Sequence, residues 1–231
     1  SRGRDGRRWR TVAGGGEAHG SGGREVIALS AGHYEKFHDH CDGAHHPKDA
    51  PSCSKALACE HALAVQWVNR VAYFLRQQTA VAIVPSGSMA SKVRWLNDTH
   101  RRTSPISLAV EIHFNSCGGC NASGSETLYA PGSVRGKQAA EIVQGFLGRV
   151  FEPSRGIKEG WYRQDRPGVV DYPGDVDGDE TLIYWLRATA MPALVVEPEF
   201  VHNHERLDEM YEVGTLELAM GIVAAQEALL A

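Results

Sequence analysis

Short apolar runs rich in β-branched residues alternate along this chain with longer segments whose apolar positions recur every three or four residues. Residues 25–30, Glu-Val-Ile-Ala-Leu-Ser, predict a buried strand, and residues 80–85 predict another. Residues 107–116, Ser-Leu-Ala-Val-Glu-Ile-His-Phe-Asn-Ser, begin as a buried strand and end on a histidine and an asparagine where that strand would emerge. Residues 125–130, closed by Pro131-Gly132, and the run leading from Met191 to Glu197 complete the strand set. Between them, Leu63, Ala64, Trp67, Val68, Val71, Phe74 and Leu75 mark the apolar face of a helix over residues 60–76. Val93 and Leu96 suggest an exposed helix within residues 86–102, and Ala139, Ile142, Val143, Phe146, Leu147 and Val150 predict one that Pro153 terminates. Residues 181–189 read as a short helix. The chain from Leu207 onward reads as a last one, with Leu216, Ala219, Met220 and Val223 inward and Gly221 as a tolerated weak point. Strands and helices alternate, so the expected fold is α/β: a single domain with a twisted, mostly parallel sheet and helices on both faces.

Two stretches interrupt this rhythm. Residues 34–59 are polar and irregular, with His38, His40, His45 and His46 beside Cys41, Cys53 and Cys59, and no regular frame to hold them at tetrahedral spacing. They read as a solvated loop. Residues 155–180 are rich in glycine, aspartate and aromatics; Asp175, Asp177 and Asp179 alternate but depart from a calcium loop, so this stretch reads as an acidic loop or one wall of a groove. The Cys117-Gly-Gly-Cys120 pair follows a strand and lacks the second pair of a zinc ribbon, which leaves an incidental role or a labile local disulfide.

Composition narrows the class. A hydrophobic share of 42% and a net charge of −4 fit a globular domain, and no dense basic stripe marks the body of the chain for nucleic acid. The apolar runs fall short of the roughly 20 residues that cross a bilayer. Residues 1–24 differ, with Arg2, Arg4, Arg7, Arg8 and Arg10 among glycines; they read as a flexible basic arm ahead of a catalytic domain over residues 25–231. The arm lacks the apolar core of a secretory signal, and its reading is divided between an inert extension and a grip on an anionic polymer.

The chemistry collects at the predicted strand ends. The first strand delivers Ala31-Gly32-His33, and Gly32 is expected to supply the sharp turn. His113 ends a second strand and Glu197 a third. Glu60 lies on the apolar face of its helix one turn before Leu63 and Ala64, where an unpaired carboxylate would be costly. In open α/β sheets ligands bind at the carboxyl edge of the strands. His33, Glu60 and His113 make a three-ligand site with an open fourth position, the arrangement of catalytic zinc.

With these residues in view, the chain resembles the zinc-dependent N-acetylmuramoyl-L-alanine amidases of bacterial wall remodelling and phage endolysins. The family's strand followed by Gly-His resembles Ile27-Ala-Leu-Ser-Ala-Gly-His33, and Asp42-Gly43-Ala44 is similar to the Asp-x-Gly-Ala that follows it. Glu60 matches the helix-borne glutamate, and Glu111-Ile-His113-Phe-Asn115 is similar to Ser-Ile-His-x-Asn. Gly124-Ser-Glu126-Thr-Leu-Tyr129 matches Gly-x-Glu-x-x-Tyr, and Pro192-Ala-Leu-Val-Val-Glu197-Pro-Glu-Phe200-Val-His-Asn203 resembles Pro-Ala-x-Leu-Val-Glu-x-Gly-Phe-x-x-Asn. Two departures matter: Glu199 replaces glycine and Glu111 replaces serine.

The resemblance implies Zn2+ on His33, Glu60 and His113, Glu197 as the catalytic general base, and Asn115 and Glu126 as substrate-binding residues. It implies peptidoglycan as the partner and the amide between N-acetylmuramic acid and L-alanine as the bond cut, at the cell wall, outside the cell or in the periplasm. The missing signal leaves export open, with release of a phage enzyme at lysis as one route. Two other readings stay beside it. One is a zinc peptidase acting on a free peptide terminus, in which Glu199 would meet the amine. The other is a non-catalytic wall-binding protein of the same fold.

Overall fold

The computed structural model describes residues 25–33, 35–36, 40–41, 60–116, 122–160 and 183–231. The basic arm, Asp42-Gly43-Ala44, the side chains of the histidine- and cysteine-rich stretch, the Cys117–Cys120 pair and the Asp175–Asp179 alternation lie outside the described residues. In chain order the elements are β1 (Val26–Ala31), a two-stranded ribbon of β2 (Glu35–Lys36) and β3 (His40–Cys41), α1 (Glu60–Leu75), β4 (Ala80–Ile83) and α2 (Met89–Arg102). There follow β5 (Ile106–Ile112), β6 (Glu126–Tyr129), α3 (Val134–Leu147), β7 (Ile157–Glu159), α4 (Tyr184–Ala188), β8 (Ala193–Glu197), α5 (His204–Glu209) and α6 (Tyr211–Leu230).

Six strands form one sheet in the order β4-β1-β5-β8-β6-β7. β4, β1, β5 and β8 run parallel, β6 runs antiparallel to β8, and β7 runs with β6. The expected mostly parallel α/β sheet is therefore present, with its reversal confined to one side. Period-two alternation divides each central strand between two cores. Ile27, Leu29, Leu108, Val110, Ile112, Leu194 and Val196 meet α1, α3 and α6 through Trp67, Val71, Val143, Leu147, Leu218 and Ile222. Ala28, Ala109 and Val195 meet α2 and α4 through Val93, Leu96, Trp185 and Leu186. Burial on both faces explains why these strands read as continuous apolar runs.

The structure differs from the expectations in detail. β7 lies in the stretch read as loop; Ile-Lys-Glu is too short and polar to announce a strand, and its pairing of Thr127 with Ile157 is a tertiary choice. α3 stops at Leu147 with Gly148 as its C-cap, five residues before Pro153, so the proline does not end it. The C-terminal helix is two helices, parted at Met210. Gly221 is no weak point: an added Cβ there would come 3.2 Å from Phe146 Cβ and from Val143 Cα, so its hydrogen lets α6 lie close on α3. The α2 helix, expected to be exposed, buries Lys92 at 2% exposure.

At 20 residues, α6 is long and apolar enough to cross a membrane. Its buried Thr215, Leu218, Ile222 and Ala225 sit in the domain core, which accounts for that composition.

Two helical glycines separate close packing from open space. A Cβ at Gly214 of α6 would stand 2.6 Å from Phe151 Cε2 and 2.9 Å from Trp67 Cη2, both in the core, whereas a Cβ at Gly145 of α3 meets nothing within 4 Å. Gly145→Ala is expected to stabilise by about 0.5–1 kcal/mol through helix propensity alone. Gly214→Ala is expected to lose about 1–3 kcal/mol to overpacking, more than propensity returns. Urea unfolding of the two variants beside the parent checks the opposite signs.

Candidate metal centre

The carboxyl ends of β1, β5 and β8 and the first turn of α1 meet at one edge of the sheet. β1 is tied to β5 to its last residue, and Gly32 N continues the ladder by donating to Ile112 O at 2.8 Å. The sharp turn expected at Gly32 is made one residue later, since His33 itself adopts φ +57°. Positive φ is uncommon outside glycine, although histidine is among the residues enriched there, and such conformations cluster at functional sites. Gly32 is needed for a different reason. Its missing side chain makes room for the His113 ring, whose Nδ1 would lie 2.6 Å from an added Cβ. His61, one residue into α1, donates from Nδ1 to Gly32 O at 2.7 Å and fixes this turn against the helix; a carbonyl only accepts, which sets the tautomer.

Glu60 is the first residue of α1 and only 4% exposed. Its Oε1 lies 3.1 Å from His33 Nε2 and 3.0 Å from His113 Nδ1, and accepts from Phe114 N at 3.2 Å. The two imidazoles meet edge to face with centroids 4.8 Å apart. One ligand atom from each of His33, Glu60 and His113 can be chosen so that all three lie within 4.8 Å of one another, a spacing that could hold a metal ion. Burial alone would push the Glu60 carboxyl up, but the hydrogen bonds and charges of His113 and His33 overcome it and hold the group well below the usual carboxylate range. Burial would likewise push His113 down, but the carboxylates of Glu111 and Glu60 raise it well above the ordinary imidazole value. In the metal-free protein a proton thus supplies positive charge at this cluster. Two imidazoles and a carboxylate also form a donor set suited to zinc.

Glu197 ends β8 beside His113, one step past the Ile112–Val196 pair, and His113 N donates to Val196 O at 2.9 Å. Its carboxyl is pushed up to about 8, chiefly by burial and then by the Glu126 and Glu60 charges, with His113 pulling the other way. Its Oε2 is buried without a hydrogen-bond partner among the described residues. A carboxyl in this state beside a cation-ready cluster is suited to exchanging protons with a bound reactant.

Sequence reasoning marked Glu111 as a departure but missed what it does, and it missed Lys92. Glu111 is fully buried on the same face of β5 as His113, and Lys92 of α2 reaches it with Nζ 2.9 Å from Oε1. Lys92 and His113 hold the Glu111 carboxyl down at about 2, against a burial effect that alone would raise it. The available signal was Lys92 standing one turn before Leu96, on the side of α2 that turns inward.

Asn115 and Glu126 are brought together, with Asn115 Nδ2 donating to Glu126 Oε1 at 2.9 Å. Glu126 stands opposite Glu197 in the β6–β8 pairing. Its Oε2 accepts from Arg155 Nε at 2.7 Å and from Lys158 Nζ, and these cations outweigh burial to hold its pKa below the ordinary value. Glu199 is not gathered into the cluster. It is fully buried, with Oε1 accepting from Gly124 N, Phe200 N and Asn203 Nδ2 and Oε2 from Arg206 Nη1. It is therefore engaged in holding the segment after β8, and the peptidase reading loses the acid it needed for a substrate amine.

Comparison with known proteins gives the family. The profile of the N-acetylmuramoyl-L-alanine amidase family matches residues 27–225. Among solved structures, the chain is similar to an N-acetylmuramoyl-L-alanine amidase from Clostridium difficile 630 at a TM-score of 0.65 and 20% identity, covering 90% of this chain and 97% of that one. The catalytic domain of CwlV, an amidase from Bacillus (Paenibacillus) polymyxa var. colistinus, gives 0.63 and 20%, covering 89% and 98%. AmiC2, an amidase of Nostoc punctiforme, gives 0.63 and 18%, again covering 89% and 98%. No curated protein matches in sequence. The chain belongs to the N-acetylmuramoyl-L-alanine amidase family, hydrolases that cleave the amide bond between N-acetylmuramic acid and L-alanine in peptidoglycan.

Proposed function

We propose that this amidase is a zinc enzyme in which His33, Glu60 and His113 hold the ion and Glu197 carries the proton traffic of hydrolysis. The observation that carries the reading is the convergence of two imidazoles on one buried carboxylate oxygen, beside the half-buried Glu197, whose buried Oε2 has no hydrogen-bond partner among the described residues. Zinc bound there supplies a Lewis acid for the amide carbonyl and acidifies a water. Glu197 takes the proton of the attacking water and returns it to the nitrogen of L-alanine as the C–N bond breaks. The products are a lactyl carboxylate on the sugar and a free amino terminus on the stem peptide. A carboxylate can serve both halves of that exchange, as base toward the water and then, once protonated, as acid toward the leaving nitrogen.

Glu126 spends its oxygens on Asn115, Arg155 and Lys158. Its part in substrate binding is therefore to hold those three side chains beside Glu197, its register partner, rather than to meet substrate itself. The reaction takes place at the cell wall, from the extracellular or periplasmic side.

Glu197→Gln is expected to lower the release of L-alanine amino termini from purified peptidoglycan by about 10²–10⁴-fold, while the protein still binds one equivalent of zinc. Equal activity in the variant, or loss of zinc along with activity, would contradict the assigned role.

The raised Glu197 carboxyl makes a second prediction for the chelator-treated protein. Its folded value of about 8 lies above the ordinary 4.5, so the stabilisation from its protonated form is complete below about 4.5 and is lost as pH rises through about 8. Relative to the parent, metal-free Glu197→Gln should therefore gain on the order of 2–4 kcal/mol between pH 5 and pH 9. Urea unfolding at the two pH values measures the difference; a constant offset would place the group in solvent.

A further inference from the structure

We propose that Glu111, held in place by Lys92, orients His113 as a ligand through Nδ1, a device this chain uses where its family's motif carries serine. The inference rests on the zinc site proposed above. His113 presents its two nitrogens to different partners. Nδ1 is 3.0 Å from Glu60 Oε1, inside the cluster, and Nε2 is 3.2 Å from Glu111 Oε2, behind it. Oε2 of Glu111 is buried and has no hydrogen-bond partner of good geometry among the described residues, which leaves Nε2–H of His113 as the donor placed to satisfy it. A carboxylate only accepts, so it keeps the hydrogen on Nε2 and the lone pair on Nδ1 once an ion is bound. A serine hydroxyl both donates and accepts, and imposes no such choice.

Glu111 is itself fixed. Its Oε1 accepts from Ser30 Oγ at 3.0 Å and Lys92 Nζ at 2.9 Å, and Ser30 is its register partner on β1. The same ammonium donates to Ala31 O and to His33 O, on either side of Gly32. One buried cation thus ties the turn that carries His33 to the strand that carries His113. A buried ion pair is a weak source of stability, since an apolar pair of similar volume is often as stable or more so. Positioning gives a reason to keep it. Carboxylates behind metal-bound histidines have this effect in general, and losing one typically weakens metal binding.

The test compares parent, Glu111→Gln and Glu111→Ser/Lys92→Met. Zinc Kd is measured by competition with a chromophoric chelator, and the His113 tautomer by ¹⁵N NMR of the zinc-loaded protein. In Glu111→Gln the amide oxygen faces Lys92, so its NH₂ faces Nε2 and opposes the required tautomer. The double variant leaves no unpaired charge, so it carries the comparison if the single variant fails to fold by circular dichroism. Both are expected to bind zinc about 10–100-fold more weakly and to lose the uniform Nε2–H signal seen in the parent. Folded variants with the parent's Kd and tautomer would overturn the positioning role while leaving the zinc site intact. A parent that binds no stoichiometric zinc would overturn the site, and this inference with it.

Discussion

Everything at the working edge of this protein depends on one carboxylate oxygen, Glu60 Oε1, of a residue only 4% exposed, lying about 3 Å from two imidazole nitrogens. An ionised carboxylate in such a place is stable only with positive charge beside it. In the metal-free protein His113, whose pKa the Glu111 and Glu60 carboxylates raise, can carry that charge as an imidazolium, and the proposed zinc ion would supply it when bound. Three separate elements must therefore end at one point: α1 begins there, β1 leaves the sheet there, and β5 ends there. The parallel core is what brings them together, because strands running the same way present all their carboxyl ends at one edge.

Around that point the contacts that look like ordinary packing all control position. The absent side chain of Gly32 admits the His113 ring, His61 pins the carbonyl of that glycine, and Lys92 spans the neighbouring carbonyls and Glu111. On the other side, Glu126 gathers Asn115, Arg155 and Lys158, while Glu199 with Arg206 secures the segment after β8. Glu197 sits between these two frameworks. Its Oε2 has no hydrogen-bond partner among the described residues, which fits the proton-transfer role proposed for it.

Much of this was legible in the sequence because buried parallel strands leave a plain signature. A run such as Leu-Ala-Val-Glu-Ile-His marks both the strand and the polar residue at its end, so His33, His113 and Glu197 stood out in the sequence, and Glu60 did as an acid on the apolar face of a helix. What was not legible depended on contacts distant in sequence. Lys92 looks like any solvated helix lysine until α2 is laid across the sheet, and Glu111 appears only as a departure from a motif until its partner is known. β7 carries too little pattern to predict and is recruited by β6. The turn before His33 was placed one residue early, since a Gly-His pair does not reveal which residue bends and which makes room. Glu199, read as a possible amine site, proved to be a fully hydrogen-bonded anchor.

The central claim, a zinc ion held by His33, Glu60 and His113, is tested most directly by X-ray diffraction from crystals of the untreated protein at energies on either side of the zinc absorption edge. The account predicts one strong anomalous peak at about 2.0–2.2 Å from one nitrogen of each histidine and an oxygen of Glu60, with Glu197 facing it. An empty cluster in zinc-replete crystals, or a peak ligated instead by cysteines, would contradict it.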